Sequence, residues 1–390
     1  MEKMKMWTSA LIPLILLAIL LFSFVKFGPL GVFKGDVPPI ENIFIQRTIF
    51  SPEHIRLEII NDGPEPVTVA QVLVNNVYWQ FEMSPGQTLA PLKKATIELD
   101  YPWVEGEAEH ISLMSRNGVL FNTEVEAAVL TPIFNVKYFK TFILLGLYAG
   151  VIPVFLGLLW LPFLKRIKDR WYNFLLSLTI GLLVFLGFDA LSESFDLLDR
   201  IPHSFNGTGL IVIGFFLAIL ILSAISYKSH HIPKTESNQA LVWAYLISLG
   251  IGLHNLGEGL AIGSAYALGE IALGSALVIG FMIHNITEGV AIISPLTKSP
   301  VNKFMIHLSA MGLLAGAPTI IGALLAGFSY SPTMSIFFLA IGAGAIFDVA
   351  FDISGSLNKG SWISLFAIEN VLGFFAGLLI MYATGLFVLA

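Results

Sequence analysis

The sequence predicts an all-α polytopic membrane bundle of eight helices, preceded by one N-terminal transmembrane helix and an extracellular β-sandwich. Three observations lead there. Of 390 residues, 56% are hydrophobic and only 12% are charged, whereas roughly a quarter are charged in an ordinary soluble chain. From residue 138 onward the apolar stretches run to about 20 residues or more, long enough to cross a bilayer. Residues 36–130 instead alternate short β-branched runs with turn signals.

Charge divides the chain at the same place. Between Asp36 and Glu126 there are 14 Asp and Glu against 5 Lys and Arg, a net of −9, so the remainder carries +3 of the total −6. An acidic, less apolar block beside a very apolar one marks a domain boundary. The expected division is 1–35, a signal anchor; 36–130, an extracellular β domain; and 131–390, an eight-helix membrane domain. The acidic block has no basic patch of useful size, which argues against nucleic acid as a partner and leaves the bilayer. The chain contains no cysteine, so disulfides, thiolate ligands and iron–sulfur clusters are excluded, and any bound metal must use nitrogen and oxygen. No prosthetic group is expected.

Lys3 and Lys5 precede the apolar run Trp7–Val25. The run is long for a signal-peptide core and no small-x-small cleavage site follows it, so an uncleaved anchor is expected. Strands are expected at Ile43–Ile49, His54–Ile60, Val67–Val74, Ala95–Leu99, Ala108–Met114 and Val119–Ala127. They are parted by turn signals such as Asn61-Asp62-Gly63-Pro64 and Arg116-Asn117-Gly118, which suits a sandwich of about seven strands. Glu105, Glu107, Glu109 and His110 read as a solvated strand face rather than a ligand set.

Helices are expected near 138–163, 171–191, 208–227, 240–267, 271–294, 302–327, 333–352 and 363–389. With Lys3 and Lys5 inside, the cytoplasmic loops are 164–170, 228–239, 295–303 and 353–362. These hold Lys165, Arg166, Lys168, Arg170, Lys228, Lys234, Lys298, Lys303 and Lys359, as the excess of cationic residues on the cytoplasmic side requires. The protein is thus expected in the cell membrane, with its N-terminus cytoplasmic and residues 36–130 and the C-terminus outside.

Inside two of these helices the same costly phrase occurs twice: His254-Asn255-Leu256-Gly257-Glu258-Gly259 and His284-Asn285-Ile286-Thr287-Glu288-Gly289. Ionisable side chains are expensive in a bilayer. In each phrase the His and Glu are four apart and share a helix face. His254 and His284 each lie fifteen residues from Gly269 in the intervening turn, roughly 22 Å at 1.5 Å per residue, so antiparallel neighbours place both phrases at one depth. Two imidazoles and two carboxylates suit a borderline divalent ion such as zinc, iron(II), manganese or cobalt, and Asn255 and Asn285 could add oxygen ligands. Gly257, Gly259, Gly263 and Gly289 would permit close helix approach. The other reading is interhelical hydrogen bonding that holds the bundle together; two identical phrases at matching depth argue against it.

With these phrases and this topology, residues 138–390 resemble the ZIP family of divalent-metal transporters. Its fourth and fifth transmembrane helices carry a His-Asn-x-x-(Asp/Glu)-Gly phrase and a related His/Glu phrase. The resemblance implies a primary transport site of His254, Glu258, His284 and Glu288. It also implies a second position lined by Asn255 and Asn285 with the shared Glu258 and Glu288. Two departures favour a single metal. The sixth helix reads Ala315-Gly316-Ala317-Pro318-Thr319-Ile320-Ile321-Gly322, without the family's acid, and the fifth carries only one histidine.

Other polar residues suggest a pathway. Asp189 and Glu193, with Asp196, could form an outer cation funnel or be ordinary surface acids. Asp348 and Asp352 could mark an exit or a pair at the interface. His307 could face the site or bond a neighbour. His230 and His231 could receive metal in the cytoplasm or belong to an ordinary loop. The expected function is transport of a divalent cation toward the cytoplasm, zinc favoured, by a protein that is not an enzyme. Protonation of the histidines would weaken binding at low pH. The alternatives are an intramembrane zinc-dependent hydrolase and a metal-sensing or interaction protein acting through its outer domain, which is also compatible with a homodimer.

Overall fold

The computed structural model describes residues 2–27, 40–166, 168–230, 236–298, 303–357 and 365–389. His231, Lys234 and Lys359, and the side chains of Lys3, Lys5, Lys228 and His230, lie outside the described residues.

Helix α1 (Glu2–Phe27) contains the apolar run Trp7–Val25, and its side chains from Leu11 to Phe24 are exposed. Nine strands follow: β1 (Ile43–Ser51), β2 (His54–Asn61), β3 (Val67–Val74), β4 (Val77–Trp79), β5 (Glu82–Ser84), β6 (Thr88–Leu89), β7 (Lys94–Leu99), β8 (Glu109–Ser115) and β9 (Leu120–Val125). They build two antiparallel sheets, ordered β1-β2-β7-β5 and β4-β3-β8-β9, with β6 paired to β3. Alternation explains the pairing. In β2, Ile55, Leu57 and Ile59 are fully buried while Arg56 points out, and Val67, Val69, Val72 and Val74 of β3 enter the same core. The expected strands recur with ends shifted by a residue or two. The extra ones, β4, β5 and β6, are two or three residues long, too short to show a period.

Among the described residues, seven helices are long and apolar enough to cross a membrane: α2 (Val136–Leu164), α3 (Asp169–Asp196, its span reaching Arg200), α4 (Gly207–His230), α5 (Glu236–Ala267), α6 (Ile271–Ile293), α7 (Phe304–Phe328) and α8 (Pro332–Leu357). A shorter apolar stretch, Ile368–Ala383, lies within α9 (Ile368–Leu389). Together they make a multi-pass membrane protein. The helix expected over 138–163 is not continuous. Leu147–Val151 winds as a π-turn and α-helix resumes at Ile152, where Pro153 removes a main-chain donor.

Helix α5 packs on α7, α6 and α8, α6 packs on α2, and α3 packs on α8 and α9. The β domain sits on one end of this bundle. Asp62, in the turn after β2, accepts hydrogen bonds from the backbone N–H of His203 (2.9 Å) and Ser204 (3.1 Å) and from the Ser204 hydroxyl (2.5 Å), in the α3–α4 connection. At the same end Arg200 pairs with Glu270 of the α5–α6 turn at 3.2 Å.

Candidate metal centre

Helix α5 positions His254, Asn255 and Glu258, and α6 positions His284, Asn285 and Glu288; all six are buried. One turn of helix separates His254 from Glu258, and His254 Nε2 lies 3.3 Å from Glu258 Oε1. His284 reaches the same oxygen from α6 through its Nε2, at 2.5 Å. One ligand-capable atom from each of His254, Glu258, His284 and Glu288 falls within 4.8 Å of the others. Among the described residues no other group of three or more His, Cys, Asp and Glu gathers in this way.

The asparagines cross over between the phrases. Asn255 Nδ2 donates to Glu288 Oε2 at 3.2 Å and to the Ala315 carbonyl at 3.1 Å. Asn285 Nδ2 donates to Glu258 Oε2 at 3.0 Å and to the Ala149 carbonyl at 2.9 Å. Carbonyls and ionised carboxylates only accept, so each amide nitrogen must face its partners and each Oδ1 is turned away. Both Oδ1 atoms are buried without a hydrogen-bond partner, as are His254 Nδ1 and Glu288 Oε1.

A proline helps to free one of the two main-chain acceptors. The α-helical donor to Ala149 would be Pro153, which has no N–H. The glycine that follows each glutamate sets the helix spacing. A Cβ on Gly259 would lie 2.2 Å from the Thr319 carbonyl oxygen of α7, and one on Gly289 2.2 Å from the Val154 carbonyl oxygen of α2.

Of the pathway residues, Asp189 and Glu193 on α3 come within electrostatic reach of His254 and Glu258. Asp189 is exposed and Glu193 half-buried. Asp348 is buried and accepts a hydrogen bond from the Ser223 hydroxyl of α4 at 2.5 Å; Asp352, one turn on, is half-buried. His307 Nδ1 bonds the Tyr245 hydroxyl at 2.9 Å. Tyr245 precedes His254 by nine residues on α5, about 14 Å along its axis, so His307 pairs with a neighbour away from the cluster. In the β domain, Glu109 is buried against Asn75 and its carboxyl is held above the usual range by burial, while His110 faces outward beside Glu124 at 3.3 Å. These two do not converge.

The main-chain carbonyls of Ala149 and Ala315 and the buried, unpartnered Thr319 hydroxyl also belong to the surroundings of the centre. Sequence reasoning missed them; the one signal available was Pro153, four residues after Ala149.

No protein-family model matches the chain, and no curated protein matches it.

Proposed function

We propose that the chain carries a divalent metal cation across the membrane toward the cytoplasm, zinc foremost and iron(II) or manganese next. In this reading it is a transporter and not an enzyme. The observation that carries it is the convergence of one ligand-capable atom from each of the buried His254, Glu258, His284 and Glu288 within 4.8 Å of one another. Glu288 Oε1 is buried without a hydrogen-bond partner, an unmet cost of about 1–3 kcal/mol that a bound cation would relieve. A dication also balances the two carboxylates, which low dielectric would otherwise drive apart. Ligand atoms on one zinc ion at 2.0–2.2 Å lie roughly 3.4 Å apart, so the present cluster closes on an ion by small side-chain rotations.

The ZIP resemblance supports the same assignment, with His254, Glu258, His284 and Glu288 as the primary ligands. The Ala315 carbonyl takes the amide of Asn255, where the family's sixth-helix acid would offer a further ligand, which favours one metal position. The positive-inside bias supports an outer location for the β domain. Metal then enters past Asp189 and Glu193 and leaves past Asp348 and Asp352 as the site changes its access.

Ion-resolved uptake into vesicles containing the purified full chain tests the reading. Saturable zinc influx is expected, inhibited by iron(II) and manganese and little affected by magnesium or calcium, which prefer all-oxygen sites. Vesicles that accumulate none of these ions above protein-free controls would refute it.

A further inference from the structure

Where the β domain meets the bundle, a cavity of about 110 Å³ is walled by Arg47, Glu58 and Lys94 from the β domain and by Arg200 and Tyr330 from the ends of α3 and the α7–α8 connection. That volume holds several waters, and hence one tetrahedral oxyanion. Its charge is unusual for this domain. Arg47, Lys94 and Arg200 face Glu58 alone in the cavity wall, and Glu270, paired with Arg200 from outside it, still leaves one positive charge. Yet the block from Asp36 to Glu126 is strongly acidic and has only 5 Lys and Arg, two of which are gathered here.

The partners of these cations are incomplete. Arg47 Nε is buried without a hydrogen-bond partner, and burial pushes its guanidinium below the ordinary arginine value despite the nearby Glu58. Arg200 and Arg47 both act electrostatically on the Tyr330 phenol. Two guanidinium groups from two domains therefore share one cavity wall with that hydroxyl. A buried guanidinium nitrogen without a partner is costly, and a bound anion accepting from Arg47 and Arg200 would relieve it. Guanidinium forks match tetrahedral phosphate oxygens, with lysine and a phenol as further donors.

The membrane-spanning segments of α3 and α8 end at Arg200 and begin at Pro332, so the cavity lies at the membrane boundary. We infer that the Arg47–Lys94–Arg200–Tyr330 cavity binds a phosphate group and thereby joins the β domain to the bundle. A lipid headgroup and free phosphate share that chemistry. The inference does not depend on the transport reading.

The test uses the purified full chain. Its melting temperature is titrated with sodium phosphate against sodium chloride at constant ionic strength, and its retention of phosphatidylglycerol against phosphatidylcholine is measured by native mass spectrometry. Wild type is expected to show saturable stabilisation by phosphate or selective retention of phosphatidylglycerol. Stabilisation by phosphate identifies a free anion, and lipid retention alone identifies a headgroup. Losing one charged hydrogen-bond donor weakens binding about tenfold or more, so Arg47→Gln should lose the response over the same concentration range. Should Arg47→Gln fail to fold, the exposed Lys94→Gln decides, with weakening in the same direction expected. A wild type that responds to neither probe, or unchanged affinity in the variants that fold, would overturn the inference.

Discussion

Asn285 holds Glu258 across the α5–α6 interface: its Nδ2 donates to Glu258 Oε2 at 3.0 Å while also donating to the Ala149 carbonyl. Asn255 does the same for Glu288 through Ala315. Each phrase therefore orients the carboxylate of the other. Partners that orient metal ligands are typically worth 10–100-fold in metal affinity. Asn255→Ala and Asn285→Ala should each weaken zinc binding by about that factor, measured by titration calorimetry on the full chain. Wild-type affinity in both would mean that the crossover is dispensable.

Gly259→Ala and Gly289→Ala test the spacing of the helices. An added methyl would lie 2.2 Å from a main-chain carbonyl oxygen in either place, and backbone cannot swing aside as a side-chain tip can. Overpacking of this kind costs about 1–3 kcal/mol. Thermal unfolding of the detergent-solubilised protein should shift down by several degrees in each variant. An unchanged melting temperature would show that the helices separate freely.

Asp62 supplies three acceptor contacts to His203 and Ser204, so it ties the β domain to the α3–α4 connection. Asp62→Ala should speed hydrogen exchange at the His203 and Ser204 amides by about tenfold, as expected when a bond to a charged group is lost. Exchange in the core strand β3 should be unaltered. Equal exchange in both proteins at the two amides would place the anchorage elsewhere.

His54 links proton binding to the stability of the β domain. Its Nε2 lies 2.5 Å from Glu98 and its Nδ1 2.9 Å from Asp100. The Glu98 hydrogen bond is the largest influence holding its pKa above the ordinary 6.5, and Asp100 adds to it. The folded form thus binds the proton more tightly than the unfolded chain. The stabilisation is complete below pH 6.5 and lost as pH rises through the raised value. Hydrogen exchange in β2 and β7 should quicken over that window in wild type and show a flatter profile in His54→Gln.

The candidate metal centre was legible because its residues are local in sequence and their cost in a membrane is high. Two His-x-x-x-Glu spacings, equidistant from Gly269, indicate a shared depth without knowledge of the packing. The carbonyl partners were not legible in the same way, since Ala149 and Ala315 carry no polar side chain and enter through main chain on other helices. Pro153 hinted at the break in α2, but an apolar stretch of that length reads as one helix. His307 was ambiguous for the opposite reason: Tyr245, its partner, is an unremarkable aromatic in an apolar run. In the β domain the long strands show their alternation, whereas β4, β5 and β6 exist only through the neighbours they pair with.

The most direct test of the central claim compares zinc uptake into vesicles containing wild type, Glu258→Ala or Glu288→Ala at equal, correctly folded protein levels. Removing either carboxylate leaves a buried dication undercompensated, so both variants should lose nearly all flux while the Glu124→Gln variant, at an exposed position of the β domain, keeps most of it. Undiminished uptake in Glu258→Ala and Glu288→Ala would contradict the account.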